Sequence, residues 1–202
     1  GDRVVRVPEE IAKRFRAEAI IVARLNHPGI TTVYEMFEHA GRWLMVMEFV
    51  RGETLEALIA RTGPLSPENA AEICLPALAA LAHAHSLGVV HRDLKPANLM
   101  ITEGGVVKIM DFGIARVSGS EHLTSTGFMM GTPAYMAPEQ VMGRDIDARS
   151  DLYAMGVVFY RLVTGRLPFT GETPFAVAQA QINDVHTPIG AVRVDLPPWA
   201  DA

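Results

Sequence analysis

A single cysteine, Cys74, excludes an internal disulfide framework and fits a reducing compartment. Set in an apolar helical stretch, it reads as a small core residue rather than a reactive thiol. Basic charge is not in excess. The 18 Lys and Arg stand against 23 Asp and Glu, for a net charge of −5, which gives no reason to expect nucleic-acid binding. Long apolar runs are also lacking. The most apolar stretch, Leu152 to Val163, is interrupted by Arg161 and falls short of the ~20 residues needed to span a bilayer. No secretory signal or transit peptide opens the chain, so the expected location is cytoplasmic, with anchoring through other segments left open. There is no internal repeat and no low-complexity segment. What is present is 202 residues, 49% hydrophobic and 20% charged. That describes a globular chain of one domain, or two lobes sharing a core.

The chain opens on a short β-prone piece, Val4-Val5-Arg6-Val7. A helix follows from Pro8-Glu9-Glu10 to about Leu25, with Pro and acids suited to its first turn. Its apolar stripe holds Ile11, Phe15, Val22 and Leu25, and Glu18 falls on the same stripe. A carboxylate there calls for a cation partner. Thr31 to Phe37 and Trp43 to Val50 read as a hairpin joined at Ala40-Gly41. Thr54 to Ala60 reads as a short helix. Ser66-Pro67-Glu68 starts a longer one that ends at Gly88. Pro76 inside it predicts a bend or two helical pieces.

Leu99-Met100-Ile101 and Val106 to Met110 form a second hairpin across Gly104-Gly105. From Phe112 to Pro138 there is little periodic pattern, and loops this long are usually functional. Ser150-Asp151 is read as the cap of a helix from Leu152 to Val163, apolar on nearly every side and closed at Gly165. Pro174 to Ile182 reads as a further helix, and 188–202 as loop.

The polar residues concentrate in one place. His91-Arg92-Asp93-Leu94-Lys95-Pro96-Ala97-Asn98 packs an acid, a cation and an amide onto a loop, and a second acid follows in Asp111-Phe112-Gly113 after the short strand that ends at Met110. Two carboxylates and an amide, aimed by a turn and a strand, suit magnesium-dependent phosphoryl transfer.

Four segments carry a family resemblance: His91 to Asn98, Asp111-Phe112-Gly113, Gly131-Thr132-Pro133-Ala134-Tyr135-Met136-Ala137-Pro138-Glu139, and Asp151-Leu152-Tyr153-Ala154-Met155-Gly156. In this order and spacing, the chain resembles the eukaryotic-like serine/threonine protein kinases of bacteria. The resemblance implies an α+β, two-lobe fold: 1–50 as part of the small lobe, and 51–202 as a mostly helical large lobe. It implies ATP and Mg2+ as cofactors and protein Ser/Thr hydroxyls as acceptors. It leaves dimerisation open.

By the same resemblance, Asp93 would accept or orient the acceptor's proton, and Lys95 would neutralise charge on the transferring phosphoryl. Asn98 and Asp111 would hold magnesium. Met47 to Val50 would form the hinge under adenine, with Glu48 and Val50 offering backbone groups, and Met100 and Met110 would supply apolar walls. Glu18 would pair with an ATP-binding lysine. Thr132 would contact Asp93 and Lys95 and help select Ser or Thr. Val22, His91 and Phe112 would join a column linking the lobes, Asp151 would grip the catalytic-loop backbone, and Glu139 would pair with an arginine beyond 202. Thr124 or Thr126 would be phosphorylated, with Arg92 and Arg116 pairing the phosphate.

Two parts of the pattern are absent: a Gly-x-Gly-x-x-Gly loop, and a strand lysine for Glu18. Arg6 is a poor replacement for that lysine. The expectation is therefore a kinase domain cut at both ends, with weak ATP binding by the stretch alone. The competing reading is a non-catalytic, kinase-like binding or regulatory module. The intact Asp93, Lys95, Asn98 and Asp111 favour catalysis; the missing lysine favours the module.

Overall fold

A computed structural model describes residues 24–39, 42–112, 133–193 and 195–197. Glu18, Val22, the 40–41 turn, Gly113, Arg116, Thr124, Thr126 and Thr132 lie outside the described residues, as does most of the helix expected before Leu25.

The architecture is α+β. Two strands, β1 (Val33–His39) and β2 (Arg42–Met47), form the expected antiparallel hairpin, with Val33 opposite Met47 and His39 opposite Arg42. A second sheet has three antiparallel strands: β3 (Gly52–Thr54), β4 (Leu99–Thr102) and β5 (Val107–Ile109), in that order. β3 is too short to show a periodic pattern. It follows the hinge and pairs with a hairpin far along the chain. Gly52 is required there: a Cβ at this position would sit 2.0 Å from the Ile101 carbonyl oxygen of β4.

Helix α1 (Leu55–Thr62) starts on Thr54, whose hydroxyl accepts from the Ala57 N–H. Helix α2 (Pro67–Ser86) is capped by Ser66, as its Ser-Pro-Glu start predicts. It runs as one element, so the break expected at Pro76 does not divide it. Pro76 and Glu72, four residues back, both lie on the exposed face. The carbonyl that loses its partner can therefore bond water, which lowers the penalty of an internal proline. The opposite face of α2 buries Ala70, Cys74, Ala77, Leu81 and Ala84. These small residues let it lie close against the central helix and β5. Burial pushes the Cys74 thiol up to about 12, in keeping with an inert core residue.

Beyond the 113–132 segment, a 3-10 turn (Pro133–Tyr135) leads to a short helix α3 (Pro138–Val141). Neither has enough length for a periodic signal. Helix α4 (Ala148–Thr164) starts about one turn earlier than the Leu152 read from the sequence. Asp147 is the N-cap, accepting from the Arg149 N–H at 2.8 Å, so Ser150 and Asp151 lie inside the first turn. Both are buried at 1% exposure, together with Met155, Val158, Leu162 and Val163. Gly165 closes α4 in the left-handed region at φ 70°. Helix α5 (Pro174–Asn183) matches expectation. The tail read as loop contains one helical turn, α6 (Ile189–Val192), packed on α4. Among the described residues no helix is long and apolar enough to cross a membrane.

Candidate active site

The site is built on the first turn of α4. Asp151 Oδ2 accepts from the His91 backbone N–H at 2.8 Å, and Oδ1 accepts from the Arg92 N–H at 2.9 Å. His85, from the end of α2, places Nε2 2.7 Å from Oδ2. A buried carboxylate is tolerable here because three donors meet it, at a helix end where the dipole favours negative charge.

The loop so gripped is strained. Arg92 has φ 67°, and Asp111, at the far side of the site, has φ 51°. A left-handed conformation at a non-glycine residue costs about 1–3 kcal/mol, so the surroundings must hold it. His91 is fully buried and supplies part of that hold. Its Nε2 lies 2.9 Å from the Met110 carbonyl, and its Nδ1 accepts from the Asp93 N–H at 3.2 Å. These roles fix the neutral Nε2–H tautomer. Burial holds its pKa below the usual histidine value, although the Met110 carbonyl and the carboxylates of Asp151, Asp93 and Asp111 pull the other way. Its ring packs on Phe112 with centroids 4.8 Å apart.

Asp93, Lys95 and Asn98 come together as one cluster. Lys95 Nζ is 2.8 Å from Asp93 Oδ2, and Asn98 Nδ2 donates to the Asp93 carbonyl at 2.9 Å and approaches Oδ2 at 3.3 Å. The Met110 N–H donates to the Asn98 carbonyl at 2.9 Å, which brings Asp111 beside Asn98. With the Asn98 amide nitrogen turned to Asp93, its side-chain oxygen is left for another partner. That oxygen and the Asp111 carboxylate are hard donors of the kind Mg2+ takes, and they fit a site in which phosphate oxygens and water complete the shell. Asp93 and Lys95 are about a quarter exposed, at 27% and 26% of their side chains.

Met47 to Val50, the stretch expected to form a hinge, lie at the end of β2. The Glu48 N–H donates to the Thr32 carbonyl at 2.8 Å, so Glu48 can offer a base only its carbonyl, with Val50 close behind. The Glu48 carboxylate is occupied too. It accepts from the Thr32 N–H at 3.2 Å and pairs with Lys108 Nζ at 2.8 Å. The Lys108 ammonium is the main reason the Glu48 carboxyl is held below its usual range. Lys108 was not singled out from the sequence. It ties the hinge to β5, the strand that delivers Met110 and Asp111. Met100 is buried and Met110 half-buried.

The segment from Pro133 to Glu139 is anchored to α4 and α5. The Pro133 carbonyl accepts from Gln181 Nε2 at 3.0 Å, and Gln181 in turn bonds the Tyr153 hydroxyl. Tyr135 bonds Arg161, which forks onto Glu56 at 2.7 and 3.0 Å. Glu139 accepts from Ser150 Oγ at 2.5 Å, which ties α3 to the first turn of α4.

Comparison with known proteins agrees with this geometry. The chain belongs to the protein kinase family: the protein kinase domain matches residues 3–201. Its relatives are bacterial serine/threonine-protein kinases. It is 45% identical over 194 residues to a probable serine/threonine-protein kinase of Corynebacterium efficiens, covering 93% of this chain and 29% of that protein. It is 41% identical over 194 residues to serine/threonine-protein kinase PknL of Mycobacterium tuberculosis, covering 96% and 48%. For PknA of the same species the figures are 45% over 194 residues, 94% and 44%. The chain thus spans less than half the length of each.

Proposed function

We propose that this chain carries the phosphotransfer centre of an ATP- and Mg2+-dependent protein kinase that acts on Ser and Thr hydroxyls. The observation that carries it is the cluster of Asp93, Lys95 and Asn98, held on a strained loop by Asp151 and His91 beside Asp111. Asp93 orients the acceptor hydroxyl and takes its proton through a side-chain oxygen. Lys95, paired with that carboxylate, is placed to meet the negative charge of the phosphoryl group in flight. Such a reaction depends more on positioning and charge neutralisation than on strong base catalysis.

Asn98 and Asp111 would hold Mg2+, which when bound neutralises the phosphate oxygens. The Glu48 carbonyl and the Val50 N–H would bond adenine, with Met47, Met100 and Met110 supplying apolar contact. Glu18 would serve as the partner of an ATP-site lysine, and Thr132 would contact the Asp93–Lys95 pair. Thr124 or Thr126 is the regulatory phosphorylation site, read by Arg92 and Arg116.

In the intact protein, Asp93→Asn should leave ATP binding within about twofold and lower phosphate transfer by two or more orders of magnitude. Undiminished transfer by this variant would refute the role of Asp93. Mass mapping of the active protein with no phosphate between 124 and 126 would refute the regulatory site.

A further inference from the structure

Gln140 has no part in the motifs or in the roles assigned above, yet its side chain spans two elements of the site. Its Nε2 donates to the Arg92 carbonyl at 2.9 Å, and its Oε1 accepts from the Ala137 N–H at 3.0 Å. Both contacts fix the amide's orientation, because the reverse assignment would set donor against donor and acceptor against acceptor.

The consequence lies in the peptide group between Arg92 and Asp93. Its oxygen is held by Gln140, and its N–H is held by His91 Nδ1 at 3.2 Å. The preceding peptide group is held at the Arg92 N–H by Asp151 at 2.9 Å. Arg92 is thus clamped on both sides of its Cα, at φ 67°. Asp151 lies on α4 and His91 on the gripped loop itself. Gln140 is the clamp supplied by α3, which follows the 113–132 segment. Without this donor, a part-buried carbonyl loses the Gln140 contact and the strained residue gains a route to relax. Asp93 is the next residue, so any rotation of this peptide moves its carboxylate.

We infer that Gln140 is a positioning residue for Asp93, acting through the Arg92–Asp93 peptide and coupling α3 to the phosphotransfer centre. The inference rests on the phosphotransfer reading for its kinetic consequence, and on geometry alone for its structural one.

The test compares two variants in the intact protein. Gln140→Glu keeps the acceptor for the Ala137 N–H but turns a second acceptor toward the Arg92 carbonyl. Gln140→Met removes both contacts at similar length. At about pH 8 both should lower kcat by about tenfold or more, with KM for ATP within about twofold. A carboxyl facing a carbonyl has a raised pKa and, once protonated, can donate again. Relative to wild type at each pH, kcat of Gln140→Glu should therefore recover between about pH 8 and 5.5. That of Gln140→Met should not.

Amide hydrogen exchange over 91–95, which needs no activity, should be faster than wild type in both variants at about pH 8. A wild-type protein that transfers no phosphate would defeat the kinase reading and leave this exchange result to decide the clamp. Wild-type exchange in both variants would overturn the inference. So would a Gln140→Glu kcat that is unchanged, or lowered by the same factor at every pH.

Discussion

Replacing Asp151 with asparagine changes one buried atom and tests how the loop is held. The carboxylate accepts two backbone N–H groups and lies against His85 Nε2, all within 2.7–2.9 Å, at 1% exposure. An amide keeps one acceptor oxygen. If that oxygen stays with the Arg92 N–H, the new NH2 faces the donors on His91 and His85. One buried donor left without a partner costs about 1–3 kcal/mol. Loss of negative charge at the helix start adds up to ~2 kcal/mol. The total is about 1–5 kcal/mol, and its upper part is the range found when one member of a buried pair is removed. For a domain of this size each kcal/mol lowers Tm by roughly 2–4 °C, so a fall of about 10 °C is expected. Calorimetry of the domain's transition, with phosphotransfer measured well below it, separates the two effects. The rate should fall by more than about tenfold even where the protein is folded, because the loop leading into the strained Arg92 has lost its hold at the His91 N–H. A Tm within about 2 °C of wild type with an unchanged rate would refute the view that Asp151 holds the loop.

His91 gives a pH signature. Its folded pKa lies below the unfolded value near 6.5, so the unfolded chain takes up the proton first as pH falls. The associated stability is complete above about pH 6.5 and is lost below it, toward the lowered folded value. The urea midpoint should therefore drop between about pH 7.5 and 5.5, and drop less in a His91→Gln variant; an equal drop in both would exclude this origin. Lys108→Met should raise KM for ATP several-fold with a smaller change in kcat, because it unties the hinge from β5. An unchanged KM in a titration of ATP would show that the Glu48–Thr32 backbone bond holds the hinge alone.

Much of this was legible in the chain because the relevant residues are close together in it. The Asp93–Lys95–Asn98 cluster forms within one turn, so its motif and its geometry are nearly the same information. The Ser66 cap and the Gly165 stop are equally local. What was not legible is contact across long separations. Gln140 reaches Arg92 across 48 positions, Lys108 reaches Glu48 across 60, and His85 reaches Asp151 across 66. Each looks like an ordinary surface or helix-end residue until the chain is folded. The misplaced start of α4 has a different cause: Asp147, Ser150 and Asp151 are all good capping residues, and only the helical contacts show that Asp147 caps while Asp151 turns inward.

The central claim is that these residues transfer phosphate from ATP to Ser and Thr. The most direct measurement follows the γ-phosphate of ATP onto a protein acceptor in the intact protein with Mg2+, with the labelled residues identified by mass. The wild type should label Ser or Thr, and Asp111→Ala should abolish labelling while leaving the domain folded. No transfer by the wild type, or transfer that survives Asp111→Ala, would contradict the account.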